Sequence, residues 1–471
     1  MSRGRRARVP GLTAPLAVPS LLARLSSDEY EPPAYRQCDL QALHLLARTA
    51  EGSARRLGIT LGRYYASRVG TAASLSAINV AAGASFYRVS ASSGIDSAEA
   101  DELLRGRSPV IDVQTHFVAG HRAGLAGAKG IHHFIRHVAP EWFSGLDLQT
   151  DLSIGEFLRC VFLESETSVA VLTSAPGTEA TNILSNAEIK GTRELVDRLA
   201  GSGRLLHHAI VHPNLPGELD SMAALVDQHR PDGFKVYTLY GNGHNGTGVD
   251  GWMLDDEDSG LPFLQRAQDL GVRIICAHKG LSMLSPTGSP RDIGPAAAAF
   301  PNLKFLVYHS GYEVPAGENT GEGAYSPGEQ QQGTDRLVQS LHDAGIAPGS
   351  NVYAELGSTW YLLIKRPEEA AHVLGKLLLA LGEDNILWGT DSVWYGSAQP
   401  LIDAFRAFHI PESYQERYGY PALTESVKNK ILGLNAACVY GVDAMEALER
   451  SRNDDLGWIR QAVLEFEALG G

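Results

Sequence analysis

The chain has 471 residues, of which 44% are hydrophobic and 20% charged, and a formal net charge of −14. That composition supports a sizeable core, and the acidic balance speaks against unspecific binding to nucleic acid or anionic membrane. Cys38, Cys160, Cys276 and Cys438 form no CxxC pair, so neither a disulfide framework nor a zinc ribbon is expected.

Residues 1–107 read as an N-terminal extension. The start is basic through Arg8, and Pro10, Pro15, Pro19, Pro32 and Pro33 break up the stretch after it. A helix with an apolar face at Leu40, Leu43 and Ala47 is expected over 40–57. Between Arg68 and Arg88 there is no charge, only small residues with Leu75, Ile78, Val80 and Phe86. A small-residue helix packed on the rest of the protein, in a cytoplasmic chain, is the expectation there. Arg55-Arg56 lies upstream, so a degenerate twin-arginine export leader is the alternative. The stretch is too poor in large side chains to span a bilayer comfortably.

From residue 108 onward, apolar runs alternate with helical patterns. Strands are expected at 110–113, 168–172, 206–211, 234–239, 272–277, 305–308, 352–354 and 386–388, with helices between them, such as 192–199, 222–229 and 368–381. The alternation predicts a parallel sheet, and eight units predict an α/β fold of the closed (β/α)8, TIM-like kind over 108–471. A C-terminal helix is expected over 456–469.

Chemically capable residues cluster at the ends of these strands. Gln114 and His116 follow the first, His212 the third, and Lys235 and His244 belong to the fourth and its loop. His278, His309, Glu355 and Asp391 end the fifth to eighth. Each has an ordinary reading alone: a histidine as a satisfied hydrogen-bonding group, Asp391 as a helix cap, Lys235 as the partner of a barrel carboxylate. Taken together, His116, Lys235, His278, His309 and Asp391 would meet at the C-terminal mouth of a parallel barrel, where such folds assemble their chemistry. That joint placement points to a metal-centred enzyme. Long loops at 241–260, 280–296 and 311–334 would cover the same face. Trp360, Trp394 and Tyr395 are candidates for a pocket wall, although core packing explains large aromatics more often.

Two further signals carry less. Gly241-Asn242-Gly243-His244-Asn245-Gly246 fits a dinucleotide fingerprint, but no helix pattern comes after it, so a flexible loop is expected. The cluster His132-His133 with His137 has spacing suited to one helix face, but no further ligand stands nearby in sequence, which suits a polar helix or lid contact.

The motifs Ile111-Asp112-Val113-Gln114-Thr115-His116, Gly233-Phe234-Lys235, Ala277-His278-Lys279-Gly280, Tyr308-His309-Ser310-Gly311 and Trp388-Gly389-Thr390-Asp391 occur in this order. They resemble the amidohydrolase superfamily, in the branch of metal-dependent hydrolases and nonoxidative aromatic decarboxylases. The resemblance spans about 108–443, and 431–437 is similar to the helix that closes such barrels. It implies one divalent ion, zinc first and manganese next, held by His116, His278 and Asp391 with Gln114 as a further donor. Asp391 would accept a proton from water, and His309 would polarise the scissile carbonyl or shuttle a proton. Lys235, His212, His244 and Trp394 are the expected substrate contacts, with Glu355 orienting a histidine from behind.

The family's first-strand motif is usually His-x-His, and here Gln114 takes the first position. A neutral amide oxygen is a harder donor than imidazole and binds zinc less well. This departure points to weak metal binding, to a harder ion, or to a ligand recruited from elsewhere. A carbamylated Lys235 bridging two metals is one such ligand; the simpler reading leaves Lys235 an ammonium for a substrate carboxylate. The expected activity is hydrolysis of a carbon–nitrogen or carbon–oxygen bond. The alternative is decarboxylation of an aromatic or unsaturated acid, and a third reading is a barrel without catalysis that binds or assembles. The expected partners are a small carboxylated substrate and further copies of the chain, with no nucleic acid and no membrane.

Overall fold

The computed structural model describes residues 6–7, 16–27, 29–122, 147, 149–177, 181–239, 251–282, 284–317, 320–328 and 332–468. His132, His133, His137, His244 and the glycine-rich 241–246 stretch lie outside these residues, as do the expectations placed on them.

Eight parallel strands form the expected barrel. They are β1 (Val110–Thr115), β2 (Thr167–Leu172), β3 (Leu205–Ile210), β4 (Gly233–Tyr237), β5 (Ile274–His278), β6 (Lys304–Tyr308), β7 (Val352–Glu355) and β8 (Ile386–Leu387). Each pairs with the next in chain order. β8 returns to β1 through Val113 N–H to the Trp388 carbonyl (3.0 Å) and Asp391 N–H to the Gln114 carbonyl (2.9 Å), with Thr115 bridged to Ser392. Nearly every strand residue is buried, as a sheet covered on both faces requires.

Alternation along the strands sorts these side chains. Ile111, Val113, Val169, Val171, Ile274, Cys276, Leu306, Tyr308 and Leu387 form one cluster with Ala436, Ala437 and Val439 of the C-terminal helices. Phe234, Val236, Ile275, Ala277, Phe305 and Val307 pack in the larger core that includes the surrounding helices. His278 therefore shares the face of Ile274 and Cys276, and Lys235 lies on the opposite face from Phe234 and Val236.

The helices show why the chain turns where it does. Asn186–Ala200 opens with a capping box, in which Ser185 and Glu188 each accept from the other's backbone N–H, and stops at left-handed Gly201. Pro367 starts Pro367–Leu381 at a position that needs no N–H donor. Trp360 belongs to the core: it packs edge-on against Phe405 and Phe408 and donates to the Leu401 carbonyl.

Among the described residues four α-helices precede the barrel: α1 (Gln37–Arg56), α2 (Leu61–Ala66), α3 (Arg68–Ala82) and α4 (Ser97–Leu104). The uncharged stretch is thus a small-residue helix, α3. At Gly70 a Cβ would fall 2.0 Å from the Tyr64 carbonyl oxygen, so a larger residue is excluded there. Arg68 pairs with Asp101, Glu166 and Asp403, and Arg406 reaches the same Glu166, which ties α3 to the barrel. Ahead of α1, residues 18–27 and 29–30 lie along the barrel, where Tyr361 Oη and Lys365 Nζ both donate to the Ala23 carbonyl. Among the described residues no single helix is long and apolar enough to cross a membrane. The C-terminal helix runs Asp455–Ala468.

Candidate active site

Two groups of side chains line the C-terminal mouth of the barrel. The first comes from the seam between β1 and β8. Asp112, a carboxylate within an apolar strand, accepts from the backbone N–H of Thr390 (3.0 Å) and of Gln114 (3.2 Å) and so pins the turn after β8. Burial raises its pKa to about 7 against those hydrogen bonds. Asp391 is fully buried, with φ of 59°, and accepts from Gln114 Nε2 at 3.3 Å and from Ser358 Oγ.

His116 Nε2 lies 3.1 Å from Asp391 Oδ1, while its Nδ1 is 3.0 Å from the Thr173 carbonyl. A carbonyl only accepts, so Nδ1 carries a hydrogen and Nε2 is the ring atom turned toward Asp391. The Trp394 ring sits 6.4 Å from that of His116. Gln114 therefore presents its nitrogen, not its oxygen, to Asp391.

The second group joins β5 and β6 to the N-terminal segment. His278 Nδ1 is 3.2 Å from Glu29 Oε1, and His309 Nε2 is 3.1 Å from Glu29 Oε2. These contacts are close but poorly aligned for hydrogen bonds: both ring nitrogens of His278, His309 Nε2 and Glu29 Oε2 have no hydrogen-bond partner. Among the described residues, Glu29, His278 and His309 form the one set of three or more metal-capable side chains whose ligand atoms all lie within 4.8 Å of one another. His309 donates Nδ1–H to the Gly357 carbonyl at 2.8 Å, which fixes its ring.

Burial pushes His278 down to about 4. Burial also works against a charged His309, but Glu29, with Asp391 and Glu355 behind it, outweighs burial and raises it to about 9. Burial favours a neutral Glu29, yet the charges of His309 and His278 hold its carboxyl well below the usual range.

Glu355 supports His309 through the main chain. It accepts from His309 N–H at 3.1 Å and Gly357 N–H at 2.5 Å, and burial raises it to about 7. Gly389 makes room for it, since a Cβ there would lie 1.7 Å from Glu355 Oε1. Lys235 is buried with Nζ 4.0 Å from the Tyr308 ring centre and 4.3 Å from that of Tyr237, and makes no hydrogen bond. Burial lowers its pKa, while Glu29, Cys276 and Asp391 oppose that shift. Two aromatic faces are a setting for an ammonium.

The backbone is strained where the two groups meet. His309, Ser310, Ser358 and Asp391 all have φ between 53° and 66°, a region that non-glycine residues seldom occupy.

The structure thus brings Gln114, His116 and Asp391 into one group and His278, His309 and Lys235 into the other, with Glu355 behind. His212 stands after β3, hydrogen-bonded to the Gly177 backbone and pushed down to about 4 by burial. Cys276 is buried filler, its thiol pushed up to about 12. Sequence reasoning missed Glu29, Tyr30, Ser358 and the pinning role of Asp112. A carboxylate inside an apolar strand was a signal for Asp112. Nothing periodic marks Glu29 between Ser26-Ser27 and Pro32-Pro33.

A family model described as amidohydrolase matches residues 192–442, which include Lys235, His278, His309 and Asp391. No curated protein matches the sequence. Among solved structures, 5-carboxyvanillate decarboxylase from Sphingomonas paucimobilis is 14% identical, with a TM-score of 0.46, over 72% of this chain and 100% of that one. 2,6-Dihydroxybenzoate decarboxylase from Rhizobium is 14% identical, with a TM-score of 0.41, over 71% and 99%. A 5-carboxyvanillate decarboxylase variant from Novosphingobium aromaticivorans, with bound manganese, has the same identity and TM-score over 71% and 97%.

Proposed function

The chain belongs to the amidohydrolase family, and on that footing we propose that it is a metal-dependent hydrolase of a small carboxylated molecule. The observation that carries this reading is the set of buried nitrogen and oxygen atoms at the mouth that face one another without hydrogen bonds. His278 and His309 offer ring nitrogens there, and His116 Nε2 faces the Asp391 carboxylate. These borderline nitrogen and hard oxygen donors fit zinc first and manganese next. A bound divalent ion would supply Lewis acidity and activate water at neutral pH.

The chain's own groups then have distinct tasks. Thr173 and Gly357 carbonyls hold the His116 and His309 rings in the tautomer that turns Nε2 toward the mouth. Asp391, held by Gln114 and Ser358, accepts the proton of the attacking water and returns it to the leaving group. His309, with its Nδ1–H held by the Gly357 carbonyl, would turn Nε2 to the ion beside the scissile carbonyl. Lys235, kept as an ammonium by its aromatic cradle, receives the substrate carboxylate. Trp394 walls the His116 side.

Decarboxylation is the second reading, and one feature favours it. The Glu29 carboxylate rests between two imidazoles within the field of Lys235, so the mouth accommodates a carboxylate next to the proton donors. In that case Asp391 would protonate the substrate carbon.

Elemental analysis of untagged protein purified without chelator tests the shared requirement. About one zinc or manganese per chain, lost in Asp391→Asn, is expected; two would revive a carbamylated Lys235. A panel of carboxylated amides, lactones and aromatic acids then separates hydrolysis from carbon dioxide release. No metal after incubation with excess zinc or manganese, with Asp391→Asn silent, would leave a barrel that only binds.

A further inference from the structure

The segment ahead of α1 is built into the mouth of the barrel. Val18, Leu21, Leu22, Leu25, Ser26, Ser27, Glu29 and Tyr30 are all buried. Tyr30 Oη donates to the Leu25 carbonyl at 3.0 Å and meets Tyr395 Oη at 3.0 Å, and Ser26 Oγ bonds the Tyr30 carbonyl. Arg24 donates to the carbonyls of Pro32 (2.8 Å) and Pro33 (2.9 Å), which closes the far side of the loop. Glu29 is thereby held in place from both directions. Its neighbour Tyr30 reaches the other group of the mouth, through Tyr395 and Ser358 to Asp391.

We propose that Glu29 is a resident metal ligand, delivered by the N-terminal segment to stand with His278 and His309 where the first strand offers Gln114 in place of an imidazole. This rests on the metal-dependent reading above. Two imidazoles and one carboxylate form a donor set known from catalytic zinc sites, and they leave a coordination position for substrate or water. Three features point to this role. The ligand atoms lie within 4.8 Å of one another, both imidazoles have buried nitrogens without hydrogen-bond partners, and the carboxylate contacts at 3.1 and 3.2 Å lack hydrogen-bond alignment. A carboxylate is rarely buried on an irregular segment unless a cation or strong donors compensate it. Cleavage at or beyond α3, as for an export leader, would then remove a ligand, so such processing and this role exclude one another.

The test uses the full chain stripped of metal and titrated with Co2+ alone, read by calorimetry and by visible absorbance, with Zn2+ as competitor. Glu29→Gln is expected to weaken Co2+ binding by about tenfold or more and to change the absorption spectrum, while Tyr30→Phe leaves the spectrum as in wild type. Wild-type affinity and spectrum in Glu29→Gln would overturn the proposal. So would tighter binding, which would make Glu29 a plug competing with the ion. Should Glu29→Gln fail to fold, Glu29→Asp keeps the charge on a shorter arm; a changed spectrum supports the proposal and an unchanged one overturns it. A wild-type chain that binds neither ion sinks the metal reading as well. One that binds normally with Glu29 dispensable sinks only this inference.

Discussion

The two walls of the barrel mouth are built in different ways. On one, Gln114, His116 and Asp391 come from the first and last strands, and the hydrogen bonds that close the barrel also set their positions. On the other, His278 and His309 come from adjacent strands but meet a carboxylate from well before the barrel begins. The first wall follows from strand order alone. The second needs the N-terminal segment to fold back and stay.

Asp391→Asn strikes the first wall and carries the largest expected effect. Turnover of a responsive substrate should fall by roughly 10²- to 10⁴-fold, the usual weight of a proton-transfer group, and metal content should drop with it. Steady-state kinetics beside elemental analysis would check both. Activity within a few-fold of wild type would remove this wall from the chemistry.

Glu166, paired with Arg68 and Arg406, is one charged tie between the N-terminal helices and the barrel. Burial favours its neutral form, but the two guanidinium groups outweigh that and lower its pKa to about 2. A depressed carboxylate contributes stability that is fully present above its unfolded value, near 4.5, and lost as pH falls toward 2. Glu166→Gln should therefore cost on the order of 3 kcal/mol at pH 7, and the deficit should shrink in urea melts as pH falls from about 4.5 toward 2. Asp403 works in the opposite sense, since burial raises it to about 6 and its ionisation above that pH costs stability. A deficit independent of pH would show that the ion pairs do not anchor the extension.

Lys235→Met is expected to raise KM for a carboxylated substrate by roughly 10- to 100-fold with kcat little changed, the weight of a charge-assisted hydrogen bond. A loss confined to kcat would move Lys235 into the chemical step, and equal losses with uncharged substrates would deny it a carboxylate.

Tyr30→Phe should have the smallest effect. It removes the hydroxyl that meets Tyr395 and Leu25 and should lower stability by about 1 kcal/mol, measured by thermal or urea unfolding. A much larger loss would mean that the segment governs the second wall as a unit and not through Glu29 alone.

Much of this architecture was legible in the chain. Apolar runs such as Val110–Thr115 and Ile274–His278 announce buried parallel strands because their period and composition are local properties. His116, Lys235, His278, His309 and Asp391 were readable as site candidates because each directly ends or sits in such a run. His212 was read the same way, yet the structure sets it against the Gly177 backbone. Ser358 gave no signal, since its role depends on a left-handed backbone that brings its hydroxyl to Asp391.

By itself, then, the sequence determined the eight-strand alternation, the acidic character and the kinds of donor that reach the mouth, because these follow from short-range pattern and residue chemistry. Tertiary structure alone decided how those donors pair. It turned the Gln114 nitrogen toward Asp391, placed the Glu355 carboxylate on the His309 backbone, and brought Glu29 between two imidazoles. Contacts between residues so far apart in the chain depend on how the whole core closes, and no local pattern of residues encodes that.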